Sequence, residues 1–194
     1  TTTERMEVER TAFRFSIYVH QNGKHRFSKL LLVGHWPVSN YGVDRISYAP
    51  IYNEQTNVLS IDGGTMIKSA GQLNGVLLDN ETGSWEWDAL EKLPMIEAPH
   101  GQEYRTGVTI TWPNDKVEVL ERGEVFSRCR PLDSDREVEI PSAFLFQWEN
   151  YTCCQEFTSN QLAVEQGEPL GLLGRYGDRL LVRKRGEVGW IVPA

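Results

Sequence analysis

Residues 30–38 read LLLVGHWPV: an apolar run stops at Gly34 and hands the chain to His35, with Pro37 stiffening the backbone just beyond. An imidazole fixed at the end of a buried strand stands where a metal ligand needs to be, on a rigid base and aimed into a cleft. The glycine before it would let the backbone approach an ion closely. The competing reading is a turn that contains a histidine. The remaining histidines do not extend a site. His20 and His25 flank an Asn-Gly turn, and His100 lies in a stretch that reads as a linker. A single catalytic zinc already takes three protein ligands, so His35 alone makes no centre.

Other reactive groups are few. Asp62 sits in SIDGG (60–64), where the Asp-Gly pair predicts an Asx-type turn. Lys68 and Asn74 read as surface or turn residues; Trp36 and Tyr41 are candidate walls of a substrate cleft, with packing beneath the loop the competing reading of Trp36. The three cysteines, Cys129, Cys153 and Cys154, have no Cys-x-x-Cys spacing, which argues for reduced thiols in the cytoplasm and against a thiolate zinc site. A net charge of −7 repels phosphate backbones, so nucleic acid is not an expected partner. No apolar run reaches the roughly 20 residues of a membrane helix, and no membrane partner is expected. One basic cluster, Arg175, Arg179, Arg183, Lys184 and Arg185, together with Trp148, Tyr151 and Tyr176, forms a candidate binding surface.

These side chains must be positioned by strands, because Pro and Gly interrupt the chain too often for long helices. FRFSIYVH (13–20), QNGK (21–24) and RFSKLLLVG (26–34) predict a hairpin, Asn-Gly accepting the positive φ of a tight turn. The continuous apolar run of its second arm predicts a strand buried on both faces. NVLSIDGG (57–64) and QLNGVLLD (72–79) predict further strands, SWEWDALEKLPM (84–95) has room for one short helix, and APHGQEY (98–104) reads as a linker. The opening TTTERMEVERTAF has no initiator methionine and no targeting pattern, and the chain is expected to be a piece of a longer protein.

After residue 105 five short runs, GVTITWP, DKVEVLER, EVFSRCR, REVEIP and AFLFQW, precede a second, shorter set, EPLGLLGRYGDRLLVRKRGEVGWIVP. VEVLERGEVFSRCR lies over PLGLLGRYGDRLLVRKR, and EVEIPSAFLF over EVGWIVPA. This predicts a tandem repeat of small β-barrels, each near the lower size at which a domain holds a core.

These residues carry two resemblances. GEVGWIVP (186–193) resembles the end of bacterial SH3-like domains, in which a Gly-Trp-Ile-Pro-like stretch closes the barrel; Trp190 then reads as core or as the wall of a peptide groove. LLVGHWPV (31–38), APIYNEQTNVLSIDGG (49–64) and TMIKSAGQLNGVLL (65–78) together resemble the C-terminal part of calcineurin-like metallophosphoesterases, particularly bacterial serine/threonine protein phosphatase-like members. The earlier ligand blocks of that family, Gly-Asp-x-His-Gly, Gly-Asp-x-x-Asp-Arg-Gly and Gly-Asn-His-Glu, do not occur here.

The resemblance implies a mainly β chain. Terminal strands of a metallophosphoesterase sandwich (1–97) precede tandem SH3-like barrels at 105–150 and 158–194. It implies His35 as a ligand of one of two divalent metal ions, of the Mn or Fe/Zn class, in an intact phosphatase. The N-terminal half of the catalytic domain and a phosphorylated substrate or peptide are then the partners. The isolated chain is expected to be inactive, and no catalytic residue is assigned to it. The alternatives are a non-catalytic SH3-like binding module, or barrels that only cap a sheet edge.

Overall fold

In the computed structural model, which describes residues 26–42, 44–90 and 92–194, the Gly and Pro punctuation yields short strands. In chain order they begin with β1 (Leu31–Val33), β2 (Ile46–Ser47), β3 (Ile51–Asn53), β4 (Val58–Ser60), β5 (Leu73–Leu78) and β6 (Trp85–Leu90). They continue as β7 (Met95–Glu97), β8 (Thr109–Ile110), β9 (Lys116–Glu121), β10 (Phe126–Pro131), β11 (Val138–Pro141) and β12 (Leu145–Trp148). The last are β13 (Tyr151–Cys154), β14 (Phe157–Thr158), β15 (Pro169–Tyr176), β16 (Arg179–Lys184) and β17 (Glu187–Ile191). Among the described residues the helical turns are short 3₁₀ pieces at Val38–Tyr41 and Ser142–Phe144, and the protein is mainly β. No helix among them is long and apolar enough to cross a membrane. The first arm and turn of the hairpin expected at 13–34, with His20 and His25, lie outside the described residues.

The chain divides into two units, one of Thr1–Tyr41 and Tyr48–Glu91, the other of Gly42–Ser47 and Lys92–Ala194. In the first, a three-stranded sheet has the order β1-β4-β3. β1 runs parallel to β4, with Val33 opposite Ser60, and β3 returns antiparallel on β4. Val58 and Leu59 are fully buried in this central strand, each side chain stabilising the unit by about 1.5–3 kcal/mol. Val33 and Val58 form a small core with Phe27 and Leu31 packed against it. The apolar run before Gly34 is not buried on both faces as expected: among the described strands β1 lies at a sheet edge, and Leu32 is 41% exposed.

The segment with room for a helix is instead β6, paired residue for residue with β5 from Leu73↔Leu90 to Leu78↔Trp85. Its burial alternates strictly, with Trp85, Trp87 and Ala89 on the half-buried face, the period-2 pattern of a strand. A hairpin partner six residues long overrides the helix propensity of Ala-Leu-Glu-Lys.

In the second unit all five runs expected after residue 105 contain strands, β8 to β12, and β13 and β14 add two more. β9 to β13 make a sheet of order β11-β10-β9-β13-β12, β8 pairs with β14, and β15 to β17 of the second set lie between β2 and β7 in the order β2-β17-β16-β15-β7. Each five-stranded sheet contains a three-stranded antiparallel meander, β9-β10-β11 and β15-β16-β17. Both carry a bulge at the matching place. Pairing skips Leu120 between Val119↔Cys129 and Glu121↔Arg128, and skips Leu173 between Leu172↔Val182 and Gly174↔Leu181. The two meanders thus share an irregularity that alternation alone does not dictate. The sheets are open rather than closed barrels: the end strands β11 and β12 do not pair with each other, nor do β2 and β7.

Residues 98–104 are a strap and not a linker. Ala98 is buried with Leu162, Val164, Leu170, Val182 and Ile191 in the core of this unit. The Gln102 side-chain amide donates to the carbonyl oxygens of Leu162 (2.9 Å) and Trp190 (2.8 Å), and its oxygen accepts from the Val192 N–H at 3.0 Å. Asn160, fully buried, is likewise satisfied: its amide donates to Asp44 O and Tyr104 Oη, and its oxygen accepts from Gly107 N, as a buried polar side chain requires.

Candidate functional site

His35 emerges two residues beyond the end of β1, and Asp62 two residues beyond the end of β4. The strands are parallel neighbours with Val33 opposite Ser60, so both residues leave the same, C-terminal edge of the sheet. That edge is where open parallel sheets place ligands. His35 is exposed and has φ 72°. The left-handed backbone thus falls on the histidine and not on Gly34, around which a Cβ would meet nothing within 4 Å. A non-glycine residue in this region is strained, and such strain gathers at functional loops.

The three sequence pieces LLVGHWPV (31–38), APIYNEQTNVLSIDGG (49–64) and TMIKSAGQLNGVLL (65–78) come together here. The Val38 N–H donates to Asp62 O at 2.8 Å, which ties the histidine loop to the turn after β4. Asp62 makes the expected Asx turn, its Oδ1 accepting from Gly64 N at 2.8 Å. The GQLN piece then grips that turn from the other side. Gln72 N donates to Gly63 O at 2.9 Å, and Asn74 Nδ2 donates to Ile61 O at 3.0 Å and to Tyr48 O at 2.8 Å. A Cβ on Gly63 would strike the Gln72 carbonyl oxygen, so only glycine allows the approach. Lys68 Nζ donates to Asn40 Oδ1 at 2.8 Å across the same loop.

Lys68 and Asn74, read from sequence as surface or turn residues, clamp the loop; their partners lie 28 residues away for Lys68 and 13 and 26 for Asn74, and no local signal announces them. Burial pushes the Tyr41 phenol above its ordinary value; a hydrogen bond with Ser60 works against this and the charge of Asp62 adds to it. Tyr41, half-buried, thus lies close to the Asp62 turn. Among the described residues no three His, Cys, Asp or Glu side chains gather as a metal site.

A second concave feature belongs to the C-terminal unit. A cleft of about 490 Å³ is floored by Phe126, Phe157 and Trp190 and rimmed by Glu137, Glu139 and Asp178. Its floor continues into an edge-to-face ring cluster: Trp190 lies 6.0 Å from Phe126 and 5.6 Å from Tyr176, and Tyr176 lies 5.5 Å from Phe144. Trp190 is 4% exposed, and its Nε1–H donates to Thr158 O at 2.6 Å. It is a core residue whose face also floors the cleft.

The basic cluster at 175–185 is not one free patch, because its members differ in burial and in partner. Arg179 pairs with Glu139 at 2.6 Å and covers the Phe126 ring at 4.5 Å. Arg183 is buried. Lys184 holds Glu168 and Ala163 O. Trp148 and Tyr151 stand opposite each other across the β12–β13 turn, exposed, with Lys116 Nζ 3.9 Å over the Tyr151 ring.

No protein-family model, no curated protein and no solved structure matches this chain.

Proposed function

We propose that this chain is the C-terminal portion of a calcineurin-like metallophosphoesterase that hydrolyses phosphomonoesters, with phosphoserine and phosphothreonine as the candidate substrates, and that SH3-like repeats complete it. The observation that carries this reading is the loop after β1. His35 is held at the C-terminal edge of a parallel strand pair by the same GHWP, IDGG and GQLN residues that carry the resemblance.

The described residues do not by themselves fit two divalent ions of the Mn or Fe/Zn class, since no three donor side chains gather. In this proposal the chain contributes one ligand, His35, and the preceding half of the catalytic domain supplies the others. The chain alone is then inactive. Its free, buried cysteines accord with a reducing cytoplasm.

The test uses the longer protein. There His35→Ala should lower metal content and phosphatase rate together, by at least the roughly 10–100-fold that loss of a supporting contact already costs. Wild-type metal content and rate in a folded His35→Ala protein would make His35 a turn residue and end the proposal.

The cleft of the C-terminal unit favours a second reading, in which this unit is a non-catalytic binding module. Aromatic floors with a few polar groups at the rim are how small β domains hold extended peptides. Protection of the cleft's backbone amides by a bound peptide would support it.

A further inference from the structure

We infer that the cleft of the C-terminal unit takes an extended peptide carrying an arginine or lysine, which lies along β11 and puts its cation among Glu137, Glu139 and Asp178. The inference rests on the binding-module reading and goes beyond it by naming the occupant.

Charge is the first ground. The rim presents three carboxylates against one guanidinium, Arg179. Arg128 partly answers Glu137 at 3.1 Å, but both side chains are about half exposed, so the pair is weak and replaceable. Asp178 has no ion pair among the described residues. A cleft with like-charged walls over a low-dielectric floor concentrates the opposite charge.

The floor is the second ground. Arg179 already shows what the site accepts: its guanidinium stacks on Phe126 at 4.5 Å while bonding Glu139 at 2.6 Å. A planar cation is held there by a ring face and a carboxylate together, the combination that suits guanidinium best. A ligand arginine would use the same chemistry at Asp178 and Glu137, or take over the place of Arg179.

The edge strand argues for a peptide rather than a small diffusible cation. β11 has a strand on one side only, β10, and its residues Val138 and Glu139 line the cleft. An edge strand offers backbone groups at strand spacing to an added extended chain. The bulk of the cleft, about 490 Å³, lies within the roughly 300–1,000 Å³ of ligand sites.

The probe is a short fluorescein-labelled peptide of alternating valine and serine with one central arginine, compared with versions carrying citrulline or glutamate at that position. Anisotropy with the whole chain should rank arginine above citrulline by about tenfold, with glutamate weakest, and the arginine peptide should weaken as salt rises. Asp178→Asn and Glu137→Gln should each weaken the arginine peptide about two- to fivefold, the worth of an exposed ion pair, and leave the citrulline peptide unchanged. Phe126→Ala should weaken both peptides. Hydrogen exchange should show the Val138–Ile140 amides protected by the arginine peptide. Equal binding of all three peptides would overturn the choice of cation while leaving the binding module standing. Absence of binding by all three, with no protection of β11, would overturn both.

Discussion

The Val38 N–H and the Asp62 carbonyl oxygen are 2.8 Å apart, so the loop that presents His35 and the turn that ends β4 behave as one piece. Whatever loosens the Asp62 turn should loosen the histidine.

Gly63 and Gly34 lie in the two halves of that piece, and they should respond oppositely to a methyl group. At Gly63 a Cβ runs into the Gln72 carbonyl oxygen and the Asn74 amide, whereas at Gly34 it meets open space. Gly63→Ala is expected to destabilise the protein by about 1–3 kcal/mol through overpacking, and Gly34→Ala to stay within about 0.5 kcal/mol of wild type. Urea unfolding of the two variants checks this, and equal midpoints would refute the clamp.

His35 carries a left-handed φ of 72°. Glycine accepts that conformation without the cost of about 1–2 kcal/mol that an L side chain incurs. His35→Gly is therefore expected to raise the melting temperature or leave it unchanged, while removing the imidazole. A clear fall in stability would mean that the side chain is held by packing, and would weaken its reading as a ligand.

All three cysteines are free and buried, and burial is the first cause raising each thiol above its ordinary value. The thiolate is the reactive form. Ellman's reagent near pH 8 should find no rapidly reacting thiol in the native chain and all three after denaturation. A fast native phase would place at least one of them in an accessible setting.

The hydrogen bond from Lys184 is the main cause holding Glu168 below its ordinary carboxylate range, with the Glu165 N–H second. A depressed carboxylate contributes stability that is present above its unfolded pKa and is lost as pH falls through the folded one. The contact should therefore persist at neutral pH and weaken only once the medium is more acidic than the ordinary carboxylate range. The Glu165 amide, which donates to Glu168 Oε2 at 3.1 Å, should lose exchange protection in that window. Unchanged protection down to global unfolding would remove the pair from this role.

The turn-punctuated runs after residue 105 are legible in the sequence because each run and its turn lie side by side along the chain. The Asx turn at Asp62 is legible for the same reason. What the sequence hides has one physical cause, distance along the chain. The partners of Gln102 lie 60 and 88 residues away, so its strap reads locally as a linker. β6 looks helical until β5 supplies a register. The cleft joins Phe126 and Glu139 of one meander to Arg179 and Trp190 of the other, and neither meander alone announces it. The end of the apolar run marks where β1 gives way to the His35 loop, but no local pattern shows that the left-handed backbone falls on the histidine instead of the glycine before it.

The extra residue in the first strand of each meander also sets where the chain can change length. Leu120 and Leu173 absorb a one-residue mismatch, so side chains before and after them keep their faces. Deleting Leu173 would set Leu172↔Val182 directly beside Gly174↔Leu181 in one-to-one pairing, so Leu170 would keep its buried face. Deleting Leu181 from β16, a strand with no spare residue, would instead turn one half of that strand over. A residue added at the Gly177 turn reverses nothing. In this sheet it is the location of an insertion or deletion, more than its size, that decides whether the sheet keeps an inside.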